Sequence, residues 1–278
     1  MDIQKVKKKI AKNLKDDIPG LSEDIEKFSL EPLVSKKNLV YNLTFYRKPR
    51  NFPKELIIKV FQTKNADKEF RMYQKLDKQK LDIPQVYLYK KPYLLLEKIN
   101  GINLCDFIND NLVRTNKLKE LDSEVRDKVT ISIEMLANWF AQLHIKNKVS
   151  KKKGLDVIVL NKGDARLRDF IIDFSNNKIY GVDFEDSYEA NHIDDLAWIC
   201  TSLLDTNPGI FEMLDPKHKI ELINIFLKKY YSITSFNFDY PYFAEHLIDD
   251  LNNVMKRRSI KISPIKKTSF IEEIKKEL

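Results

Sequence analysis

The spacing of hydrophobic residues changes near Gly101, and this change limits the folds that the chain can adopt. Before Gly101, residues 39–46 alternate between apolar and polar side chains, and residues 55–61 form a compact β-branched run, ELIIKVF. Beyond it, apolar residues recur three and four positions apart, most clearly over residues 122–145. The pattern predicts an α+β chain in which a small, sheet-rich part precedes a mainly helical part.

Further elements are predicted on both sides of this boundary. Residues 2–16 show helical spacing with lysines on the polar face, and we expect this amphipathic helix to pack on the sheet-rich part and to end at Pro19 and Gly20. The other predicted elements are a helix over 65–79, two strands over 85–97 around Lys90–Pro92, a helix over 103–112, and short strands at VIVL, FIIDF and KIYGVDF. Residues 192–231 are predicted to be helical with breaks near Pro208 and Pro216.

Basic residues exceed acidic ones in this chain of 278 residues, with 49 Lys and Arg against 41 Asp and Glu and a net charge of +8. They gather in three segments, residues 2–16, 146–153 and 256–267, and the last of these is predicted to be a tail that precedes a short helix, IEEIKKEL. Such an excess favours a polyanionic partner such as nucleic acid. A Lys-rich composition that only solvates the surface would give the same count, so both interpretations stay open.

The cysteines and the chain start predict the compartment. Cys105 and Cys200 are far apart and form no CxxC pair, which favours a reducing compartment without a disulfide framework. The charged N-terminus does not resemble a signal peptide, and no apolar run approaches the length that spans a bilayer. We therefore expect a cytoplasmic protein with no membrane partner, and the oligomeric state stays open.

Two acidic motifs in the second half carry the candidate chemistry. NKGDARLRD (161–169) lies between two short apolar strands, and GVDFED (181–186) follows the next predicted hairpin. Phosphoryl transfer needs one carboxylate that orients the attacking hydroxyl and two oxygen ligands that hold magnesium against the phosphates. Because the hairpin brings both motifs to the same end of a sheet, the arrangement is typical of a phosphotransferase.

The pair KGDARLRD and GVDFED resembles the HGDxxxxN and [IV]D[FW]x motifs of the aminoglycoside and choline phosphotransferases, which belong to the protein-kinase-like superfamily. The resemblance extends over nearly the whole chain, because ELIIKVF, KEFRMYQKL, LLLEKINGINLCDFI, LANWFAQLH and HIDDLAWI are similar to further conserved segments of that superfamily. It implies a two-lobed protein-kinase-like fold. The expected parts are a small antiparallel-sheet N-lobe over 1–96 that includes the basic amphipathic helix, a hinge over 97–102, and a mainly helical catalytic C-lobe with the basic tail over 103–278.

The same resemblance implies roles for residues of the C-lobe. Asp164 would orient or deprotonate the acceptor hydroxyl, and Asp183 would bind magnesium between the β- and γ-phosphates. Asp169 would be a second metal ligand, and Asp195 would brace the catalytic loop. Arg166 would stabilise the γ-phosphate, with the alternative that it only neutralises the neighbouring aspartates.

In the N-lobe, the resemblance implies a site for ATP. Lys59 would contact the α- and β-phosphates and would be held by Glu69, while Glu97 and Ile99 would offer backbone groups to adenine. The implied cofactors are therefore ATP and Mg²⁺.

The chain departs from the family pattern at three places. Lys162 stands where the family has His, and Asp169 stands where it usually has Asn, which keeps an oxygen ligand but adds a negative charge. The stretch LVSKKNLVYNLTF has no glycine where a Gly-rich phosphate loop is expected, and Lys36 or Lys37 could compensate there.

Three functions remain open from the sequence. The leading interpretation is an ATP-dependent kinase acting on a hydroxyl of a structured RNA such as tRNA, because of the three basic segments. The alternative is a kinase of a small molecule such as an aminoglycoside, choline or a sugar, for which FNFDYPYF (236–243) and HLIDD (246–250) offer acidic and aromatic surface. The third is an RNA-binding pseudokinase, motivated by the missing Gly-rich loop and by Asp169.

Overall fold

The structure is a computed structural model that describes residues 2–18, 21, 27–35, 37–113, 115–149, 157–207, 209–212, 217–260 and 271–274. The chain forms two compact units. The first contains Met1–Lys78 and Ile83–Asn100, and the second contains Gln79–Asp82 and Gly101–Leu278. One unit is built on an antiparallel sheet and the other is mainly helical, which confirms the predicted α+β class.

The first unit is a five-stranded antiparallel sheet with two helices. Its strands lie in the order β1-β2-β3-β5-β4, and every neighbouring pair is antiparallel. The elements are α1 (Ile3–Leu14), β1 (Phe28–Leu33), β2 (Leu39–Phe45), β3 (Glu55–Val60), α2 (Ala66–Lys78), β4 (Val86–Lys90) and β5 (Tyr93–Glu97).

Helix α1 packs on this sheet, as its periodicity predicts. Asp2 caps the helix, since its side chain accepts the backbone N–H of Gln4 at 2.9 Å. The apolar face of the helix enters the core of the unit through Ile10 and Leu14, which are fully buried, while its lysines lie on the other side. Burial of this apolar stripe holds the helix on the sheet, and the ammonium of Lys7 adds a contact 5.0 Å from the ring centroid of Phe28.

Within its described residues, the second unit has two three-stranded sheets and five helices of nine residues or more. The sheets have the strand orders β10-β9-β6 and β11-β8-β7. The elements are β6 (Ile102–Asn103), α3 (Leu104–Leu112), α4 (Ser123–Lys146), β7 (Lys148–Val149), β8 (Ile158–Asn161), β9 (Phe170–Asp173), β10 (Lys178–Gly181), β11 (Tyr188–Asn191), α5 (His192–Asp205), α6 (Lys217–Thr234) and α7 (Tyr240–Arg258).

The helices of this unit pack in pairs, α4 against α6 and α5 against α7. Trp139 of α4 lies at the centre of an aromatic cluster with Phe140, Phe170 and Phe184, with ring centroids 5.1 to 6.2 Å apart. Phe170 directly follows the first acidic motif, and Phe184 lies within the second. The cluster therefore anchors both motifs to the longest helix.

Several elements were not predicted, namely the short strands β6, β7 and β11 and the longer elements β1 and α7. Strand β1 was not predicted, because Glu31 and Pro32 interrupt its apolar run, but it is an edge strand, where such residues are tolerated. Helix α7 was also missed, although Asp239 caps it and Pro241 lies in its first turn, which are helix-start signals. The expectation that the basic tail begins at 256 is wrong, because Lys256, Arg257 and Arg258 form the last turn of α7.

Several expectations concern residues outside the described ranges. They are the helix end at Pro19 and Gly20, the proposed role of Lys36, the lysines at 151–153, the basic residues at 261–267 and the end of the short helix at 275–278. The start of that short helix, residues 271–274, is helical. Among the helices that the structure describes, none combines the length and apolar character needed to cross a bilayer.

Candidate active site

The first acidic motif is a loop between two strands of different sheets. Strand β8 ends at Asn161 and pairs with β11, while β9 begins at Phe170 and pairs with β10. The loop turns through Gly163 and Asp164, whose φ angles are +70° and +43°. A Cβ atom on Gly163 would lie 2.4 Å from the carbonyl oxygen of Asp186, so this turn requires glycine.

Asp195 of α5 braces the loop, which confirms the sequence prediction. Its carboxylate accepts the backbone N–H of Lys162 at 2.6 Å and that of Gly163 at 3.0 Å. The carboxylate also contacts Nε2 of His144 at 3.2 Å, and Nδ1 of the same ring contacts the hydroxyl of Tyr230 at 2.7 Å. Because Asp195 and His144 are fully buried, this network fixes the backbone just before Asp164.

Asp164 and Arg166 form a charged pair at the turn. Nε of Arg166 donates to Oδ1 of Asp164 at 2.9 Å, and Nη2 contacts both carboxylate oxygens. The two side chains are 29% and 26% exposed, so a ligand can reach them. The guanidinium thus orients the Asp164 carboxylate, and its Nη1 amine still offers donors.

Lys162 joins the two acidic motifs. Its ammonium donates to Oδ2 of Asp169 at 3.2 Å and to the carbonyl oxygen of Asp183 at 3.0 Å. Oδ2 of Asp169 also accepts the backbone N–H of Arg166 at 3.2 Å. Burial raises the pKa of Asp169 above its ordinary value, the nearby Asp183 raises it further, and the Lys162 ammonium opposes both effects.

Asp183 follows β10 at a strained position that faces solvent. Its φ angle is +64°, which is uncommon for a residue with a side chain, and the side chain is exposed. A carboxylate oxygen of Asp183 and one of the buried Glu185 lie within 4.8 Å of each other. Carboxylate oxygens are ligands that Mg²⁺ takes in proteins, so Asp183 and Glu185 are candidate ligands for this ion. Glu185 is not among the metal ligands that the resemblance implied.

Further carboxylates lie near Asp164 on α5 and α7. Asp250 is buried, and burial together with the charges of Asp194, Asp249 and Asp164 raises its pKa to about 7. Asp194 accepts hydrogen bonds from the hydroxyls of Tyr188 at 3.3 Å and Tyr242 at 2.9 Å. This part of the second unit is therefore both acidic and aromatic.

In the first unit, Lys59 of β3 and Glu69 of α2 form the predicted ion pair. Nζ of Lys59 lies 2.6 Å from Oε2 of Glu69, and the two side chains are 8% and 0% exposed. A buried ammonium keeps its charge only beside a partner such as this carboxylate. The pair therefore holds a cation at a defined place on the central part of the sheet.

Glu97 and Ile99 lie at the end of this sheet. Glu97 is the last residue of β5, where it pairs with Leu56 of β3 and accepts the backbone N–H of Gln85 at 3.2 Å. Ile99 follows in the segment without regular structure that leads to the boundary between the units. Lys37, the other lysine named for phosphate contact, is exposed just before β2.

Comparisons with known proteins identify the fold. No protein-family model matches the chain, and no curated protein matches it in sequence. Among solved structures, the chain is similar to the streptomycin-ATP-APH(2″)-IIa ternary complex, with 15% identity, a TM-score of 0.54, and 91% of this chain and 93% of that chain covered.

Two further solved structures are similar to the chain over most of its length. One is choline kinase from Cryptosporidium parvum, with 11% identity, a TM-score of 0.51 and coverage of 96% and 92% of the two chains. The other is aminoglycoside phosphotransferase APH(3″)-Id from Streptomyces rimosus, with 12% identity, a TM-score of 0.51 and coverage of 80% and 92%. The chain has the protein-kinase-like fold that these phosphotransferases share.

Proposed function

We propose that this protein is a phosphotransferase that moves the γ-phosphate of ATP to a hydroxyl group of a small cationic molecule. The observation that carries the proposal is the braced loop that presents Asp164 within one compact unit that also holds Asp169 and Asp183. Phosphoryl transfer depends on such positioning and on charge stabilisation rather than on covalent chemistry by the protein.

In this proposal, Asp164 orients the acceptor hydroxyl and accepts its proton at a carboxylate oxygen. The contact with Arg166 supports the role, because it fixes the rotamer of Asp164 while Nη1 of Arg166 stays available for a phosphate oxygen. Asp183 and Glu185 would hold Mg²⁺, with Asp169 close by, and the ion would supply charge neutralisation at the transferred phosphate.

Binding of the nucleotide is assigned to residues of the first unit. Lys59 contacts the phosphates of ATP, and Glu69 holds its ammonium in place. Backbone groups of Glu97 and Ile99 bind adenine at the end of β5. The chain has no Gly-rich loop here. We therefore infer that the side chain of Lys59 and the metal ion make most of the contacts with the phosphates.

The small cationic acceptor is favoured over RNA by the charges beside Asp164. Asp194 and Asp250 would attract a cation and would repel the phosphates of a nucleic acid. The hydroxyls of Tyr188 and Tyr242 lie on the same cluster, and aromatic rings suit ammonium groups. The names of structural neighbours, which include streptomycin and choline, point to acceptors of this class.

RNA remains a second candidate acceptor because of α1. Lys5, Lys8, Lys9 and Lys12 lie on one exposed side of this helix, and the last turn of α7 is also basic. Such surfaces bind phosphates without reading sequence. Close to Asp164 in sequence, the basic residues that reach the surface are Arg166, which pairs with it, and the exposed Arg168, while the larger basic surfaces lie on α1 and at the end of α7, so this candidate stands second.

The deciding experiment supplies γ-labelled ATP and Mg²⁺ to the purified protein with three kinds of acceptor. These are choline and ethanolamine, a panel of aminoglycosides, and total RNA. We expect label in a cationic small molecule and its loss in Asp164→Ala. Glu189→Gln, which changes an exposed carboxylate on β11, is the matched control and should retain full activity.

Each other outcome of this experiment has a distinct meaning. Label in RNA that depends on Asp164 would replace the small cation by the second candidate. ATP turnover that is the same in Asp164→Ala as in the unchanged protein would refute the catalytic role. Binding of RNA without any transfer would favour a pseudokinase.

A further inference from the structure

The most unusual feature of the second unit is a buried ammonium between its acidic motifs. The residue Lys162 is only 1% exposed, although lysine is rarely buried without a specific partner. Its Nζ lies 3.2 Å from Oδ2 of Asp169 and 3.0 Å from the carbonyl oxygen of Asp183. One cation therefore contacts both residues that were expected to bind metal ions.

The position of this ammonium is fixed at both ends of the side chain. The backbone N–H of Lys162 donates to the buried carboxylate of Asp195 at 2.6 Å. The Nζ atom lies 5.8 Å from the ring centroid of Phe170 and 5.7 Å from that of Phe184. A lysine held in this way is a permanent part of the site rather than a mobile surface group.

The charge balance of the site explains what such a cation can do. Two carboxylates that lie near each other need a positive charge, which a divalent ion or a protein cation can supply. Oδ2 of Asp169 already accepts bonds from Lys162 and from the backbone N–H of Arg166. Only Oδ1 of Asp169 is left for a metal ion, whereas the Asp183 side chain is exposed and lies close to Glu185.

We propose that Lys162 is a positioning residue whose ammonium stands in place of a second divalent cation beside Asp169. The active site then takes one divalent ion, at Asp183 and Glu185. The inference rests on the proposed function only in that the nucleotide is bound together with a metal ion at Asp183. In this proposal Lys162 does more than support the loop, because its fixed positive charge determines how many divalent ions the site binds.

Titration of the full-length protein with Mn²⁺, in the presence of a non-hydrolysable ATP analogue, tests this inference. Unbound Mn²⁺ is counted by its electron paramagnetic resonance signal. We expect one ion per chain in the unchanged protein and in Lys162→Arg, which keeps the charge. Lys162→Met and Lys162→Gln remove the charge and should each gain a second ion, with at least a tenfold rise in affinity at that position.

Lys178→Met is the matched control, because it removes an exposed lysine that pairs with Asp82 in the same unit. It should still bind one ion. Two ions in the unchanged protein would overturn the inference even if the Lys162 variants failed to fold. One ion in a folded Lys162→Met or Lys162→Gln protein would also overturn it, while the proposed function would stand.

Failure of the proposed function has a different signature. Absence of Mn²⁺ binding from every variant, with or without the nucleotide, would contradict both the metal site and the inference. Loss of the single ion in Asp183→Asn, together with its retention in Asp169→Asn, is the expected result for the two candidate ligands.

Discussion

The carboxylate of Asp195 accepts the backbone N–H of Lys162 at 2.6 Å, and this bond joins helix α5 to the loop that carries Asp164. The same carboxylate also accepts the N–H of Gly163 at 3.0 Å. Both donors are buried away from water, so the carboxylate of Asp195 supplies the acceptor for their hydrogen bonds. Helix α5 therefore determines the conformation of the loop that carries Asp164.

Removal of this brace should destabilise the protein and inactivate it. Asp195→Ala leaves two backbone donors and the His144 ring without their shared partner, at an expected cost of about 3 kcal/mol in the free energy of unfolding. Urea denaturation measures this cost. Glu189→Ala, at an exposed position on β11, should change the unfolding free energy by less than about 0.5 kcal/mol. Equal stability of the two variants would contradict the bracing role.

Gly163 should not tolerate a side chain. Gly163→Ala combines a φ of +70° with a contact of 2.4 Å between the new Cβ and the carbonyl oxygen of Asp186. We expect a loss of at least about 2 kcal/mol in stability and a fall in phosphoryl transfer. At Gly209 the nearest atom to a new Cβ is 3.3 Å away, so Gly209→Ala is a mild control. Thermal unfolding of both variants checks the difference.

Variants of the Lys59–Glu69 pair should affect the free energy of unfolding and the affinity for ATP differently. Lys59→Met leaves the buried Glu69 carboxylate without this cation and should cost about 3–5 kcal/mol in the free energy of unfolding. In Lys59→Met/Glu69→Gln the buried charges are both gone, so most of the stability should return. Affinity for ATP, measured by calorimetry, should stay low in both variants. Recovery of ATP affinity in the double variant would refute the assigned role of Lys59.

Asp250 should make stability depend on pH. Its pKa is about 7 in the folded protein, whereas an unfolded Asp titrates near 4, so the folded state holds the proton more tightly. Its contribution to stability is therefore complete below about pH 4 and is lost as the pH rises through 7. Asp250→Asn should remove this loss, so the variant gains stability relative to the unchanged protein as the pH rises.

The measurement is the urea midpoint between pH 4 and pH 8 for both proteins. Glu245→Gln, which alters an exposed carboxylate of the same helix, should follow the unchanged protein across this range. A constant difference between Asp250→Asn and the unchanged protein at all pH values would contradict the raised pKa. In the proposed function, loss of the Asp250 proton also adds a negative charge beside Asp164, so the KM of a cationic acceptor should fall across the same range.

The sequence by itself determined the fold class and the main elements, because these depend on local periodicity and on order along the chain. Alternating and β-branched runs predicted β2 and β3, and helical spacing predicted α1, α2 and α4. The Lys59–Glu69 pair and the brace at Asp195 were implied by the resemblance to the protein-kinase-like superfamily. Strand β1 and helix α7 were not predicted, because a charged edge strand and a helix of mixed polarity show only weak hydrophobic periodicity.

Only the tertiary structure decided how charges combine at the site. The sequence analysis noted Lys162 only as a replacement for the family's His, but folding places its ammonium against Asp169, seven residues away, and against the Asp183 carbonyl. Asp250 lies near Asp164 although 86 residues separate them in sequence. Interaction energies of charges depend on distance and burial, which spacing along the chain does not give. The sequence therefore identified the acidic motifs, and the fold determined which cations and carboxylates surround them.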